Sequence, residues 1–301
     1  MFLPSLMGFD FAKDAFVGLL DLYPNAAAAY SVRKLRAAYT GSAIRVRRSS
    51  NNDEQDIGFT ALGALDTSSL TSFCGSGNGF VTRWYDQSGN ARNAIQSTAI
   101  NQPQIVSSGS VINVNSKPSL QFDGSNDKLE VASSTATFNF IHNGGLAQIA
   151  NVVKISSSGS NGFIGNNAGA SANVGFYWGQ DPTYAPIFVV TKGGGGFPVI
   201  ADAPQNAVSN LQYLFYNEID ADNATASNRG KLYINNGSSY NNTQTTSPST
   251  SNASFNLQIG SMGNNILPLN GNHQELIIWN LLNTGDRTGI QSNINSYYGI
   301  Y

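Results

Sequence analysis

LAQIANVVKIS at 146–156, NVGFYWG at 173–179, APIFVVTK at 185–192 and LQYLFYNEI at 211–219 follow one another with Gly-, Ser- and Asn-rich turns between them. Each is a short run rich in β-branched and aromatic residues, and none is long enough for a packed helix of ordinary length. The same texture continues on both sides: PSLQFDG (118–124) and KLEVAS (128–133) before the block, GKLYINN (230–236), FNLQIGS (255–261) and HQELIIWN (273–280) after it. Short strands recurring after turn clusters predict an all-β antiparallel sandwich.

Nearer the N-terminus, AIRVRRSS (43–50) alternates Ile44 and Val46 with Arg45 and Arg47, and GFVTRWYDQSG (79–89) reads as a strand ending in a turn. Helices are expected at three places. Asn25 is placed to cap a helix through 26–39 that stops at Thr40-Gly41, Asp66 opens a short one, and Thr284 caps a last one carrying Ile290, Ile294, Tyr297 and Tyr298 on one stripe. No linker divides residues 25–301, so these form one expected domain, with 1–24 set apart as an apolar attachment segment. The stretch 238–254 reads as a long surface loop and 192–198 as a glycine loop without the Gly-Lys-Ser/Thr ending of a phosphate cradle.

Composition narrows the function classes. Charged residues are 11% of the 301, hydrophobic ones 41% and aromatics 11%, so the polar surface is built from Ser, Thr, Asn, Gln and Gly. A net charge of -2 offers no electrostatic case for nucleic acid or anionic lipid. Cys74 is the single cysteine, which excludes an intrachain disulfide and a thiolate metal cluster. No run of about 18 apolar residues is present, and the N-terminal stretch lacks a basic lead-in and a small-residue cleavage site, so neither a membrane span nor a signal peptide is expected. His142 and His273 are the only histidines and lie far apart, with His273 expected at a strand end. Asp86 in WYDQSG is expected to accept N–H groups of its own turn. Asp123 and Asp127 in FDGSNDK read as solvated turn carboxylates, and DADN (220–223) as a loop. The basic set Arg33, Lys34, Arg36, Arg45, Arg47 and Arg48 is followed at once by Asp53, Glu54 and Asp56, which favours internal pairing.

Several motifs carry a resemblance. Ala29-Tyr30-Ser31, Arg33, Leu35, Tyr39-Thr40-Gly41, Val46-Arg47-Arg48, Asp56-Ile57-Gly58 and Tyr85-Asp86-Gln87-Ser88-Gly89 stand in the order in which the α-L-arabinofuranosidase B catalytic domain carries them. KPSLQFDGSNDKLEV and GNHQELIIWN resemble the laminin-G and concanavalin-like lectins, and the ending RTGIQSNINSYYGIY resembles lectin-like structural proteins of tailed bacteriophages. The resemblance implies a concanavalin-like jelly-roll sandwich with short N-terminal and C-terminal helices. It also implies a glycosidase's pair of carboxylates, and here the sequence departs. The turn matching the family's acid/base position offers Gly263, Asn264 and Asn265, and between Glu130 and Glu218 the only acids are Asp181 and Asp202.

These departures lead to a specific expectation: a non-enzymatic virion structural protein, serving as a capsid decoration, head-fibre or tail-associated subunit at the particle surface. It would be made in the host cytoplasm, bind other capsid or tail proteins, form a homo-oligomer such as a trimer, and adhere weakly to host-surface glycans, without metal, cofactor, nucleic acid or membrane. Attachment is assigned to Phe2, Leu3, Leu6, Phe9, Phe11 and Phe16. Glycan contact is assigned to Tyr177, Trp178, Gln180 and Tyr184, because sugars need aromatic plates and planar amides, although alternation sends Tyr177 to the face opposite Trp178. The alternatives are a glycoside hydrolase related to α-L-arabinofuranosidase B and a free lectin.

Overall fold

The computed structural model describes residues 16–156, 159–205, 208 and 210–301. Its strands are antiparallel and fall into two face-packed layers. One layer runs Ser239–Asn241, Gly230–Ile234, Gln212–Asp220, Leu146–Ile155 and Asn270–Trp279, with Ala26–Ser31 and Leu120–Asp123 sharing the far side of the last strand. The other runs Val199–Asp202, Pro186–Lys192, Val174–Gln180, Asn161–Gly165, Leu257–Ile259, Leu129–Val131, Ala94–Ile95, Gly79–Trp84, Ile44–Arg48 and Glu54–Ile57. Gln104–Ser107 pairs with both Gly79–Trp84 and Leu120–Asp123 and so stitches the layers together at one edge.

The core lies between the layers. Phe215 of the first layer stacks on Phe163 of the second at 5.3 Å and meets the edge of Trp178 at 6.0 Å, while Trp84 reaches His273 at 6.5 Å. All of these side chains are fully buried, so they supply the apolar area that drives the layers together. The expected sandwich is therefore present.

Several local expectations fail: the closing helix has Asp286, not Thr284, at its N-cap, and Ser239–Asn241, inside the expected long loop, is a strand. Residues 26–31 form a strand, all six buried, registered against Trp279–Glu275. Asn25 has φ 63 and turns the chain rather than capping a helix. Alanine's helix preference is a weak prior, and a run of small residues also lets two neighbouring backbones approach. Asp86 and Gln87 complete the argument from the other side: Ala29 N–H donates to Asp86 Oδ1 (2.9 Å), and Gln87 N–H donates to the Ala29 carbonyl (2.8 Å). His273 does not sit at a strand end either. It is fully buried within Asn270–Trp279, against Phe122 and Trp84.

The Thr67–Cys74 helix is capped by Asp66, whose side chain accepts from Ser69 N–H. The closing helix Arg287–Tyr298 lays Ile290, Ile294 and Tyr298 on the outer face of the first layer. There it covers a buried polar knot. Arg33 donates Nε and Nη2 to the two oxygens of Glu275 at 2.8 and 2.9 Å, Ser31 Oγ donates to Oε2 at 2.7 Å, and Tyr298 Oη lies 3.2 Å from the same oxygen. This knot ties the Ala26–Ser31 edge, the central strand and the last helix into one unit. The segment 16–24 belongs to that unit too: Leu19 and Leu20 are buried, and Leu20 N–H donates to the Leu35 carbonyl (2.8 Å).

Candidate functional site

The Gln104–Ser107 strand, which joins the layers, also makes a line of polar side chains. Arg47 is registered with Phe80, Phe80 with Gln104, and Gln104 with Gln121, so these four project from one face across four strands. Asp123, two residues on from Gln121, shares that face and is registered with Asn270. Together with Gln102, Ile100 and Asp127 they wall a cleft of about 660 Å3.

Two carboxyl groups stand in one turn at the end of this cleft, in different surroundings. Asp123 is exposed and accepts the N–H groups of Ser125 (2.8 Å) and Asn126 (3.2 Å) on Oδ1. Asp127 is only 6% exposed, and its Oδ2 accepts the Asp123 N–H at 3.0 Å. Burial, reinforced by the negative charge of Asp123, pushes Asp127 up to about 7. The turn depends on Gly124: its φ is +78, and a Cβ there would lie 2.8 Å from Asn270 Cβ. The expectation of two solvated turn carboxylates thus holds for Asp123 and not for Asp127. Sequence spacing shows the pair, but not that one member is roofed over by the neighbouring strands.

The cleft's cation is held by neutral partners. Arg47 donates to Gln102 Oε1 and Asn52 Oδ1, both at 2.8 Å, and lies over the Phe80 ring at 4.9 Å. Arg45 and Arg48 pair with Asp56 and Asp53 instead, as the sequence led one to expect.

The same face continues along the second layer. Register places Arg83 opposite Ile95, Ile95 opposite Glu130, Glu130 opposite Gln258, Gln258 opposite Gly165, and Gly165 opposite Tyr177. Glu130 accepts from Asn256 Nδ2 and Gln258 Nε2, both at 2.9 Å. Gln258 Oε1 accepts the Asn265 N–H at 2.8 Å, which connects Glu130 to the Gly263–Asn265 turn. That turn carries no carboxylate of its own, and Glu130 reaches its neighbourhood only through strand pairing across more than a hundred residues. No local signal announces such a neighbour.

The predicted glycan residues are divided. Tyr177 is half-buried on this continuous face, and Tyr184 is half-buried in the turn at Asp181, where its Oη lies 3.5 Å from Asn210 Oδ1. Trp178 faces the core, fully buried between Phe188 and Phe215, so it offers no plate to a ligand. Gln180 is 1% exposed and donates to the Gly159 carbonyl at 2.9 Å. Of the attachment residues, Phe16 is described: it is half-buried, with Lys34 Nζ 5.5 Å from its ring centroid. Phe2, Leu3, Leu6, Phe9 and Phe11 lie outside the described residues. Asp86 does what its turn suggested. It accepts Ala29 and Ser88 N–H on Oδ1, both at 2.9 Å, and Arg92 N–H on Oδ2 at 3.0 Å.

The family profile described as alpha-L-arabinofuranosidase B, catalytic, matches residues 21–127, a segment that begins before the first strand and ends on Asp127. Among solved structures, an arabinofuranosidase complexed with arabinofuranosyl-alpha-1,2-xylobiose aligns over 92% of this chain at 18% identity with a TM-score of 0.64. A GH54 a-l-arabinofuranosidase soaked with a cyclic sulfate inhibitor aligns over the same share with a TM-score of 0.66. The chain spans 64% and 65% of the length of these two proteins. No curated protein sequence matches the chain. At this identity the solved structures establish a shared fold. The catalytic-domain match, together with that fold over nine-tenths of the chain, overturns the expectation of a non-enzymatic virion subunit and favours the glycoside-hydrolase alternative.

Proposed function

We propose that this chain is a glycoside hydrolase of the α-L-arabinofuranosidase B kind, acting in the Asp123–Asp127 cleft on furanoside residues carried by a polysaccharide. One observation carries the proposal: a single cleft holds an exposed carboxylate and a buried carboxyl group raised to about 7. Acid-catalysed cleavage of an acetal needs two carboxyl groups in contrasting states, one ready to give a proton and one charged. In this reading Asp127 protonates the glycosidic oxygen as its bond to the anomeric carbon breaks. Asp123 faces the positive charge that develops on that carbon. Asp127, now a carboxylate, then takes a proton from the incoming water. Arg47, Gln104, Gln121 and Asn270 supply donors for sugar hydroxyls, and Phe80 supplies an apolar wall.

Glu130 and Tyr177, both half-buried, stand on the cleft's side of the second layer, on the path an extended chain would take beyond the cleft. The similar solved structures include an arabinofuranosidase complexed with arabinofuranosyl-alpha-1,2-xylobiose and a GH54 a-l-arabinofuranosidase variant soaked with 4-nitrophenyl a-l-arabinofuranoside, which makes the second compound the natural first substrate. Release of 4-nitrophenol from it, lost in Asp127→Asn and in Asp123→Asn with the fold intact, is the expected result. Unchanged turnover in both variants would remove the cleft as the catalytic centre.

A further inference from the structure

A second pocket lies away from the cleft and shares no residue with it. It has a volume of about 400 Å3, within the ~300–1,000 Å3 range of small-ligand sites, and its lining includes Arg36, Arg92, Ser88, Asn90, Asn25 and Asn280. We propose that it binds the carboxylate end of an acidic sugar.

Charge is the first argument. Neither Arg36 nor Arg92 forms an ion pair among the described residues. Arg36 Nη1 donates only to the Ser88 carbonyl at 3.2 Å, and Arg92 Nη1 to the Ala27 carbonyl at 2.8 Å. Arg36 Nε is buried and donates to no acceptor, and a buried guanidinium donor left unpaired is uncommon enough to need a partner. Behind the pocket, Asp86 is held by the N–H groups of Ala29, Ser88 and Arg92. Asp21 is turned to the N–H groups of Gly18 and Ala37, both at 2.8 Å, and does not line the pocket. The lining itself thus carries two cations and no carboxylate, which calls for an anionic group on the ligand.

The remaining lining is the second argument. Three asparagines and Ser88 line the pocket beside the two arginines, and only Leu20, Pro24, Ala26 and Ala27 are apolar. Amides and hydroxyls in such number suit a ligand covered with hydroxyl groups. The pocket is fixed from beneath: the WYDQSG turn presents Ser88 and Asn90, and Asn90 Nδ2 donates to the Ala26 and Ala27 carbonyls at 3.0 and 3.1 Å. A rigid floor lowers the ordering cost of binding.

The test is isothermal titration of the whole chain with D-galacturonate, with D-galactose and with inorganic phosphate. Galacturonate is expected to bind, with galactose and phosphate each at least about tenfold weaker. Arg36→Gln and Arg92→Gln should each weaken galacturonate by about tenfold or more while leaving hydrolysis in the cleft unchanged. Equal binding of galactose, tighter binding of phosphate, no binding of galacturonate, or full affinity in both variants would overturn the proposal. Should the variants not fold, the arginine side-chain Nε–H signals of the unmodified protein decide: galacturonate must shift those of Arg36 and Arg92, and unmoved signals refute the site.

Discussion

Replacing Asp127 by Asn removes one titrating group and keeps its shape and its acceptor for the Asp123 N–H. In the fold this carboxyl ionises near 7, because burial and the Asp123 charge both oppose the anion. In the unfolded chain it ionises near 4, so the raised value corresponds to about 4 kcal/mol at full burial. The cleft opens to solvent, and screening there brings the expected effect to about 2 kcal/mol. The sign follows from linkage. A group whose value is raised by folding stabilises the fold below its unfolded value, and that contribution disappears as the pH rises through the folded one. The unmodified protein should therefore lose about 2 kcal/mol between about pH 4 and pH 8 that Asp127→Asn does not lose. Urea unfolding of both proteins at each pH measures the difference, and the contribution of every other group cancels between them. A stability difference that stays constant with pH would refute the buried, proton-holding Asp127 on which the catalytic reading depends.

Glu275→Gln should cost about 3–5 kcal/mol in urea unfolding, because it leaves the Arg33 guanidinium buried against a neutral amide. His273 is held down to about 3 by burial, so the fold should lose up to about 5 kcal/mol as the pH falls from about 6.5 to 3, and His273→Gln should flatten that part of the profile. Trp178→Ala should destabilise by about 3–5 kcal/mol through the cavity left between Phe188 and Phe215. Tyr177→Ala should cost about 1–2 kcal/mol of stability, as for a half-buried aromatic in a strand, and raise the Michaelis constant for a polysaccharide more than for a nitrophenyl glycoside.

The strands were legible because their signal is local. Alternation in NVGFYWG gave Tyr177 and Trp178 opposite faces, and the structure keeps them there, half-buried and fully buried. The Asp86 turn was legible for the same reason, since an Asx carboxylate meets N–H groups two residues on. What could not be read were consequences of pairing at long range. Ala26–Ser31 is a strand because the Trp279–Glu275 segment and the Asp86 turn flank it, and neither is nearby in sequence. Asp127 is buried at the cleft with its carboxyl pushed up to about 7, whereas FDGSNDK alone suggests an open turn. Glu130 meets the Gly263–Asn265 turn through Gln258, a contact that no spacing encodes. The Gly263–Asn265 turn offers only glycine and amides, while Asp123 and Asp127 stand together in a different turn at the cleft.

The most direct test is the pH profile of furanoside hydrolysis by the unmodified protein and by Asp127→Asn. If Asp127 is the proton donor, turnover of 4-nitrophenyl α-L-arabinofuranoside should fall as the pH rises through about 7, and Asp127→Asn should lose at least about a hundredfold in turnover with its fold unchanged. Turnover that persists in Asp127→Asn with the same pH dependence, or no turnover by the unmodified protein on any furanoside or pyranoside, would contradict the account.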